Sequence, residues 1–174
     1  DPHLVNEYAC SRQYDDGGVA VLRELSVMVL FRYPRFHFRP SQSDILHVDF
    51  WSGGKNIFRD AGSYSYNCKE PWQSYFPGNE AHNTIQFDGR DAMPKLSRFL
   101  FGAWPKAMNV SSLQRKDNRQ AIVSGYRDWK GASHNRSLSL EEGLFCVIDD
   151  IAGFDKSAVL RWRLAPGEWL WEDD

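Results

Sequence analysis

No apolar run in this 174-residue sequence approaches the length needed to span a bilayer, so a transmembrane helix is not expected. Cysteine is scarce. Cys10, Cys68 and Cys146 are odd in number and far apart, with no CxxC or Cys/His zinc spacing, which argues against a disulfide framework or a zinc finger. An excess of one charge is also missing. The formal net charge is -2, so no bulk basicity recruits nucleic acid or an anionic membrane. GxSxG, Walker, GxGxxG and HExxH motifs are absent, which argues against the common hydrolase, nucleotide-binding and zincin chemistries. Helical periodicity is nearly lacking. The sequence opens on Asp1 rather than Met and shows no signal peptide, so it reads as a piece of something longer.

What the sequence has in quantity is aromatic residues: seven Trp, seven Tyr and eleven Phe, together 14% of the chain. That richness suits strands first, and sugar-stacking surfaces second. Short apolar or alternating runs recur between Gly, Pro, Asn and Asp. They are expected as strands at 19–23, 25–33, 45–51, 55–60, 83–87, 108–114, 120–127, 136–140, 144–151 and 159–164. Ser52-Gly53-Gly54 reads as a tight hairpin turn. Residues 63–82 read as a long loop, the kind that often carries function, and 93–104 has room for one short helix. The expected fold is an all-β antiparallel sandwich of about ten or more strands with at most one short helix, forming one domain over 1–174. Cys146, inside the run Leu144–Ile148, reads as a buried thiol.

Several polar residues sit where chemistry is possible. Alternation puts Ile45, His47, Asp49 and Trp51 on one face of their strand and Leu46, Val48 and Phe50 on the other, apolar face. Such a polar face is a wetted sheet surface or a groove. Asp60 precedes Ala61-Gly62, where an Asp is usually a turn former and occasionally a metal ligand. His82 opens the next strand; a carboxylate, an imidazole and a third N or O donor together suit zinc. His134 and Arg136 alternate on one strand, and Arg136 could pair with a sugar carboxylate or be an ordinary ion-paired strand residue. The basic groups Arg32, Arg35 and Arg39, and Arg127, Lys130 and Arg136, read individually as solvated edges.

Taken in order, Arg39-Pro40-Ser41-Gln42-Ser43-Asp44, Arg59-Asp60-Ala61-Gly62-Ser63-Tyr64 and Ala81-His82-Asn83-Thr84 resemble the β-domain of the heparinase II/III-like family. His134-x-Arg136 and Arg161-Trp162-Arg163-Leu164 look like its downstream positions. The resemblance spans roughly residues 17–165. It implies a C-terminal antiparallel sandwich whose partner is an N-terminal α/α-toroid of the same parent protein, absent from this chain. It also implies β-elimination on a uronate-containing acidic polysaccharide, and a periplasmic or secreted location. Asp60 and His82 match the family's metal-binding Asp and His, with zinc the usual ion. The third ligand's place holds Gln42 instead of the usual His, a poor exchange that counts against a complete metal site. His47 falls at a non-ligand position in this alignment. On the resemblance, Gln42, His47 and His134 are the catalytic candidates. Arg39, Trp51, Tyr64, Asn83 and Arg136 are the substrate-binding ones. With the toroid missing, the chain alone is expected to be inactive. The competing expectations are a non-catalytic carbohydrate-binding sandwich, with Trp51, Trp72 and Tyr75 as stacking platforms, and a purely structural domain.

Overall fold

The computed structural model describes residues 10–170, so the ends of the domain expected over 1–174 lie outside the described residues. Five strands make the first sheet, in chain order and all antiparallel: β1 (Arg12–Tyr14), β2 (Val19–Glu24), β3 (Val27–Arg32), β4 (Val48–Ser52) and β5 (Lys55–Phe58). After β6 (Ile85–Phe87) and the hairpin β7 (Lys95–Ser97) and β8 (Leu100–Phe101) comes the second sheet. It holds β9 (Gln114–Lys116), β10 (Arg119–Arg127), β11 (Ser133–Glu141) and β12 (Leu144–Ala152) in the order β12-β11-β10-β9. The last strand, β13 (Ala158–Leu160), pairs back onto β6.

The sheets face each other because alternation gives each an apolar side. Ala20, Leu22, Val29, Phe31 and Val48 of the first sheet pack with Ile122, Tyr126, Leu138 and Leu140 of the second in one core. Phe50 and Phe145 stack across the gap at 5.2 Å. Truncating a fully buried member such as Leu138 to Ala would cost about 2–5 kcal/mol. Two-residue hairpins set the register. Gly53 and Gly54 (φ 55° and 77°) join β4 to β5, and Glu142 and Gly143 (φ 51° and 81°) join β11 to β12. Both central residues of each turn lie in the left-handed region, as hairpins that follow the strand twist require.

The all-β sandwich and the runs that became β2, β3, β5 and β10–β12 agree with the sequence reading. Other expectations are corrected. Residues 93–104 form the β7–β8 hairpin instead of a helix, because Pro94 supplies no N–H to a helix interior and Met93 and Phe101 are drawn into the core. The single α-helix among the described residues, α1 (Trp72–Tyr75), lies inside the segment read as loop. The strand expected at 45–51 starts only at Val48, because Leu46 takes a left-handed φ of 59°. The run 108–114 contributes an isolated bridge at Met108 and only Gln114 to a strand, and the run 159–164 is a strand only to Leu160. Cys146 is exposed: Phe145, Val147 and Asp149 turn inward, which sends Cys146 to the outer face.

Candidate active site

Three segments remote in sequence converge beside the first sheet. The connection from β3 to β4 ends at His47, after Asp44 has paired with Arg32 at 3.0 Å and accepted the His47 N–H at 3.1 Å. The chain leaving β5 brings Asp60, whose N–H donates to the Asp49 carboxylate at 3.0 Å. A 3-10 turn at Asn79–Ala81 delivers His82. His82 Nδ1 lies 2.6 Å from Asp60 Oδ2. His47 Nε2 lies 3.4 Å from Asp49 Oδ1 and 3.9 Å from Asp60 Oδ2. The two imidazoles meet edge to face with centroids 5.4 Å apart. Both rings are buried, and the Asp60 side chain, 30% exposed, is the wetter side of the cluster.

The electrostatics follow from that geometry. Burial by itself would raise the Asp60 carboxyl. The hydrogen bond and charge of His82 and the Gly62 N–H outweigh burial and hold Asp60 below its ordinary range. His47 Nδ1 accepts the N–H of Asn83 at 2.9 Å, so the neutral ring carries its proton on Nε2, on the side of Asp49 and Asp60. Neither His47 Nε2 nor His82 Nε2 has a hydrogen-bond partner, although both are buried.

His47, Asp60 and His82 each offer one donor atom, and the three lie within 4.8 Å of one another. Two imidazoles and a carboxylate suit a divalent ion of the zinc type. For His47 to ligate through Nε2, its proton must move to Nδ1, at the expense of the Asn83 hydrogen bond. Leaving that buried N–H without its acceptor costs about 1–3 kcal/mol, against a metal-site free energy on the order of 10 kcal/mol, so the donor set fits. The sequence reading put Gln42 in the third place and His47 outside the set. The structure groups His47 with Asp60 and His82, because the left-handed Leu46 redirects the chain just before the strand. Gln42 is half-buried and lines two surface clefts.

Asn83 is a latch in this structure, and its side chain is not offered to a sugar. It is fully buried. Its Nδ2 donates to Val48 O at 2.8 Å and Arg59 O at 3.3 Å, and its Oδ1 accepts the Arg163 N–H at 2.6 Å. The next residue, Thr84, donates its hydroxyl to Ile45 O at 2.8 Å. The Ala-His-Asn-Thr stretch thus ties His82 to the segments that carry His47 and Asp60.

His134 and Arg136 do share a face, and that face is the interior. Arg136 is fully buried. It makes a two-pronged pair with Asp149 (Nε to Oδ1 2.7 Å, Nη2 to Oδ2 2.9 Å), its direct cross-strand neighbour on β12. Its Nη1 donates to Leu46 O and Asn83 O, both at 2.7 Å, one residue before His47 and one after His82. Trp162 covers the guanidinium at 5.3 Å. With its donors so engaged, Arg136 cannot meet a sugar carboxylate. His134 Nε2 donates to Asp149 Oδ1 at 2.8 Å, and the ring is buried against Phe87 and Tyr126. Burial pushes the His134 pKa down and keeps the ring neutral. It is a core residue here, out of reach of a substrate. Burial would raise the Asp149 carboxyl, yet the hydrogen bonds from His134 and Arg136 and the Arg136 charge win and hold it at about 2. Asp149 was missed in the sequence. Its signal was its inward parity in β12, opposite an inward arginine.

Of the other substrate-binding candidates, Tyr64 is exposed and stacks on Phe76 at 5.8 Å. Arg39 is exposed on the rim of a neighbouring cleft. Trp51 sits half-buried in β4, level with Met28 and Asn56, and lines neither of the clefts that border Gln42.

A family model described as heparinase II/III-like, C-terminal, matches residues 7–169. The chain belongs to that family. This heparinase-like chain is similar to a heparin-sulfate lyase of Bacteroides stercoris, 24% identical over 133 residues that take in 73% of the chain and 18% of that protein. Among solved structures, a heparinase III gene product matches with a TM-score of 0.75 at 21% identity, covering 91% of this chain and 25% of its own. The heparan sulfate lyase HepC of Pedobacter heparinus matches with a TM-score of 0.63 at 19% identity, covering 83% and 22%. The heparinase-like chain thus spans a quarter or less of the length of these relatives.

Proposed function

We propose that this chain is the C-terminal β-sandwich of a polysaccharide lyase. The lyase cleaves a uronate-containing acidic polysaccharide by β-elimination, at a cleft shared with an N-terminal α/α-toroid of the same parent protein. The observation that carries the reading is the His47–Asp60–His82 cluster, with two buried imidazole nitrogens that have no hydrogen-bond partner, on a chain of the heparinase family. Relatives named for heparin and heparan sulfate make those the first substrates to try. An exported location, periplasmic or secreted, belongs to the same proposal.

β-Elimination removes the C5 proton beside the uronate carboxylate. The electrons of that C–H bond become the C4–C5 double bond, and the C4–O bond breaks toward the glycosidic oxygen, which takes up a proton. Negative charge builds on the carboxylate as an enolate and needs a fixed positive or donating partner. Asp60 fixes the His82 ring through Nδ1, and the Asn83 N–H fixes the His47 ring with its Nε2 proton on the side of the two carboxylates. A divalent ion held by His47, Asp60 and His82 would supply Lewis-acid charge for the enolate. Burial of both rings excludes water from that charge and strengthens it.

The test uses the full-length protein and the ultraviolet absorbance of the unsaturated product. His82→Ala is expected to lower turnover by roughly 100-fold or more, and the 174-residue chain alone is expected to give none. Product formation unchanged by His82→Ala overturns the reading.

A further inference from the structure

A cleft of about 330 Å³ opens between α1 and β6, and none of His47, Asp60 and His82 lines it. Its charges are of one sign. Glu70, Glu80 and Asp91 line it, and no lysine or arginine does. Glu70 is committed to Ser74, whose hydroxyl donates to it at 2.8 Å and whose N–H donates at 3.2 Å. Glu80 is answered only by Arg161, at 3.6 Å, beyond hydrogen-bonding distance. Asp91 spends Oδ1 on the Asn79 N–H at 2.7 Å, and its Oδ2 has no hydrogen bond among the described residues. Lys95, whose charge acts on Asp91, holds its ammonium on Gln73 O at 2.7 Å.

Acidity alone makes no site. The second observation is Gln86. Ile85 and Phe87 of β6 pack into a small core with Ala132, so alternation turns Gln86 to the opposite side, where it lines the cleft. The residue is 5% exposed, and its side-chain amide makes no hydrogen bond among the described residues. Buried amides are nearly always paired, so an unpartnered one in a cleft wall points to a ligand that supplies the partner. Gly78 keeps the approach open: a Cβ there would stand 3.0 Å from Asp91 Oδ1 and 3.0 Å from Ser74 O. The apolar wall is Trp72 and Tyr75, which meet edge to face at 6.0 Å. Arg163 already lies against the Tyr75 ring at 5.7 Å, which leaves Trp72, 48% exposed, as the ring open to a further cation.

We propose that this cleft binds a small organic cation, a primary ammonium on an apolar stem. The N–H donors of the ammonium meet Asp91 Oδ2, the Glu80 carboxylate and the Gln86 amide oxygen, and the stem lies on Trp72. A bare metal ion fits less well. Among the described residues, His47, Asp60 and His82 are the one group of acids or imidazoles whose donor atoms all lie within 4.8 Å of one another. Glu70, Glu80 and Asp91 are therefore too spread to share one ion, and a cation with several donors and some length spans them better. An anionic ligand would face three carboxylates with no cation in the wall. Burial, and then the charge of Glu80, raise the Asp91 carboxyl above its ordinary value, and a bound cation would draw it back down. This site is independent of the polysaccharide reading above.

Calorimetry on the full-length protein tests it, with putrescine as the probe and the uncharged butanediol of the same length as the control. Putrescine should bind saturably, and the diol should not. Asp91→Asn and Glu80→Gln should each weaken putrescine by roughly 10-fold, with the deficit shrinking in high salt. Gln86→Leu, of similar volume, should weaken it by roughly 5-fold. Glu80 is exposed, so its variant tests the site even if Gln86→Leu fails to fold. His82→Ala should leave putrescine binding in place, so the ammonium site and the lyase reading can each fail alone. An acetyl-lysine amide that binds more tightly than putrescine assigns the ammonium to a lysine side chain, and one that binds more weakly assigns it to a free amine; the site stands in both cases. Calcium chloride that displaces putrescine, and whose own binding is lost in Asp91→Asn and Gln86→Leu, overturns the ammonium assignment. No saturable binding of either amine, equal binding of the diol, or affinity unchanged in all three cleft variants also overturns it.

Discussion

Replacing Arg136 by methionine is the most direct challenge to the site's supporting structure. Methionine keeps much of the apolar stem and removes the charge and every donor. Asp149 would lose its two-pronged partner and keep only the bond from His134, while its side chain is 13% exposed. The carbonyls of Leu46 and Asn83 would lose their shared donor. Breaking a buried pair by removing one member costs about 3–5 kcal/mol. Each orphaned buried carbonyl adds about 1 kcal/mol even after partial relaxation. A total of about 5–7 kcal/mol is a large part of the roughly 5–15 kcal/mol that holds a domain folded. For a chain of this length it corresponds to a fall in melting temperature of about 10–28 °C. Urea and thermal unfolding followed by tryptophan fluorescence would measure it. Arg136→Lys should recover less than half, because a point charge cannot reach Asp149 and both carbonyls at once. The double variant Arg136→Met/Asp149→Leu should be more stable than Arg136→Met alone, since no lone buried charge remains. A single variant within about 1 kcal/mol of the parent protein, or a double variant worse than the single, would refute the argument.

Stability should also depend on pH in two separable windows. His134 is held below its ordinary pKa, so its contribution is complete above about pH 6.5 and is lost as pH falls from there toward the depressed folded value. His134→Gln, which keeps a donor for Asp149, should flatten that arm of a stability-versus-pH curve. Asp149 is depressed to about 2, so its contribution is complete above roughly pH 4 and disappears as pH falls through 2, with Asp60 acting in the same direction. Zinc or cobalt added at about 100 times its dissociation constant should stabilise the protein by about 2.7 kcal/mol. His82→Ala and Asp60→Asn should abolish that rise, and a melting temperature indifferent to metal would show that the cluster holds no ion.

Much of the sandwich was legible because alternation and turn chemistry act locally. Gly53-Gly54 announces a two-residue hairpin, and the runs beside it read as strands. Alternation says which residues share a face but not which face looks inward. His134 and Arg136 were therefore rightly paired and wrongly aimed, and Cys146 was placed inside when its neighbours Phe145 and Val147 had taken that side. Asp60 and His82 were legible as a pair through their order in the chain. His47 was not, because one left-handed residue, Leu46, shifts its direction, and no periodic pattern reports a single φ. The role of Asn83 was hidden for another reason. All three partners of its amide are backbone atoms, and backbone atoms leave no trace in residue types.

That amide also bears on the order in which the molecule is finished. It clasps Val48, 35 residues upstream, and the N–H of Arg163, 80 residues downstream. During synthesis the early hairpins can form first, but this clasp stays open until Arg163 has left the ribosome. Closing such long loops is entropically dear and slow. The imidazoles would thus reach their final setting only after Arg163 has been made, and a stop before it would leave the strands without this clasp.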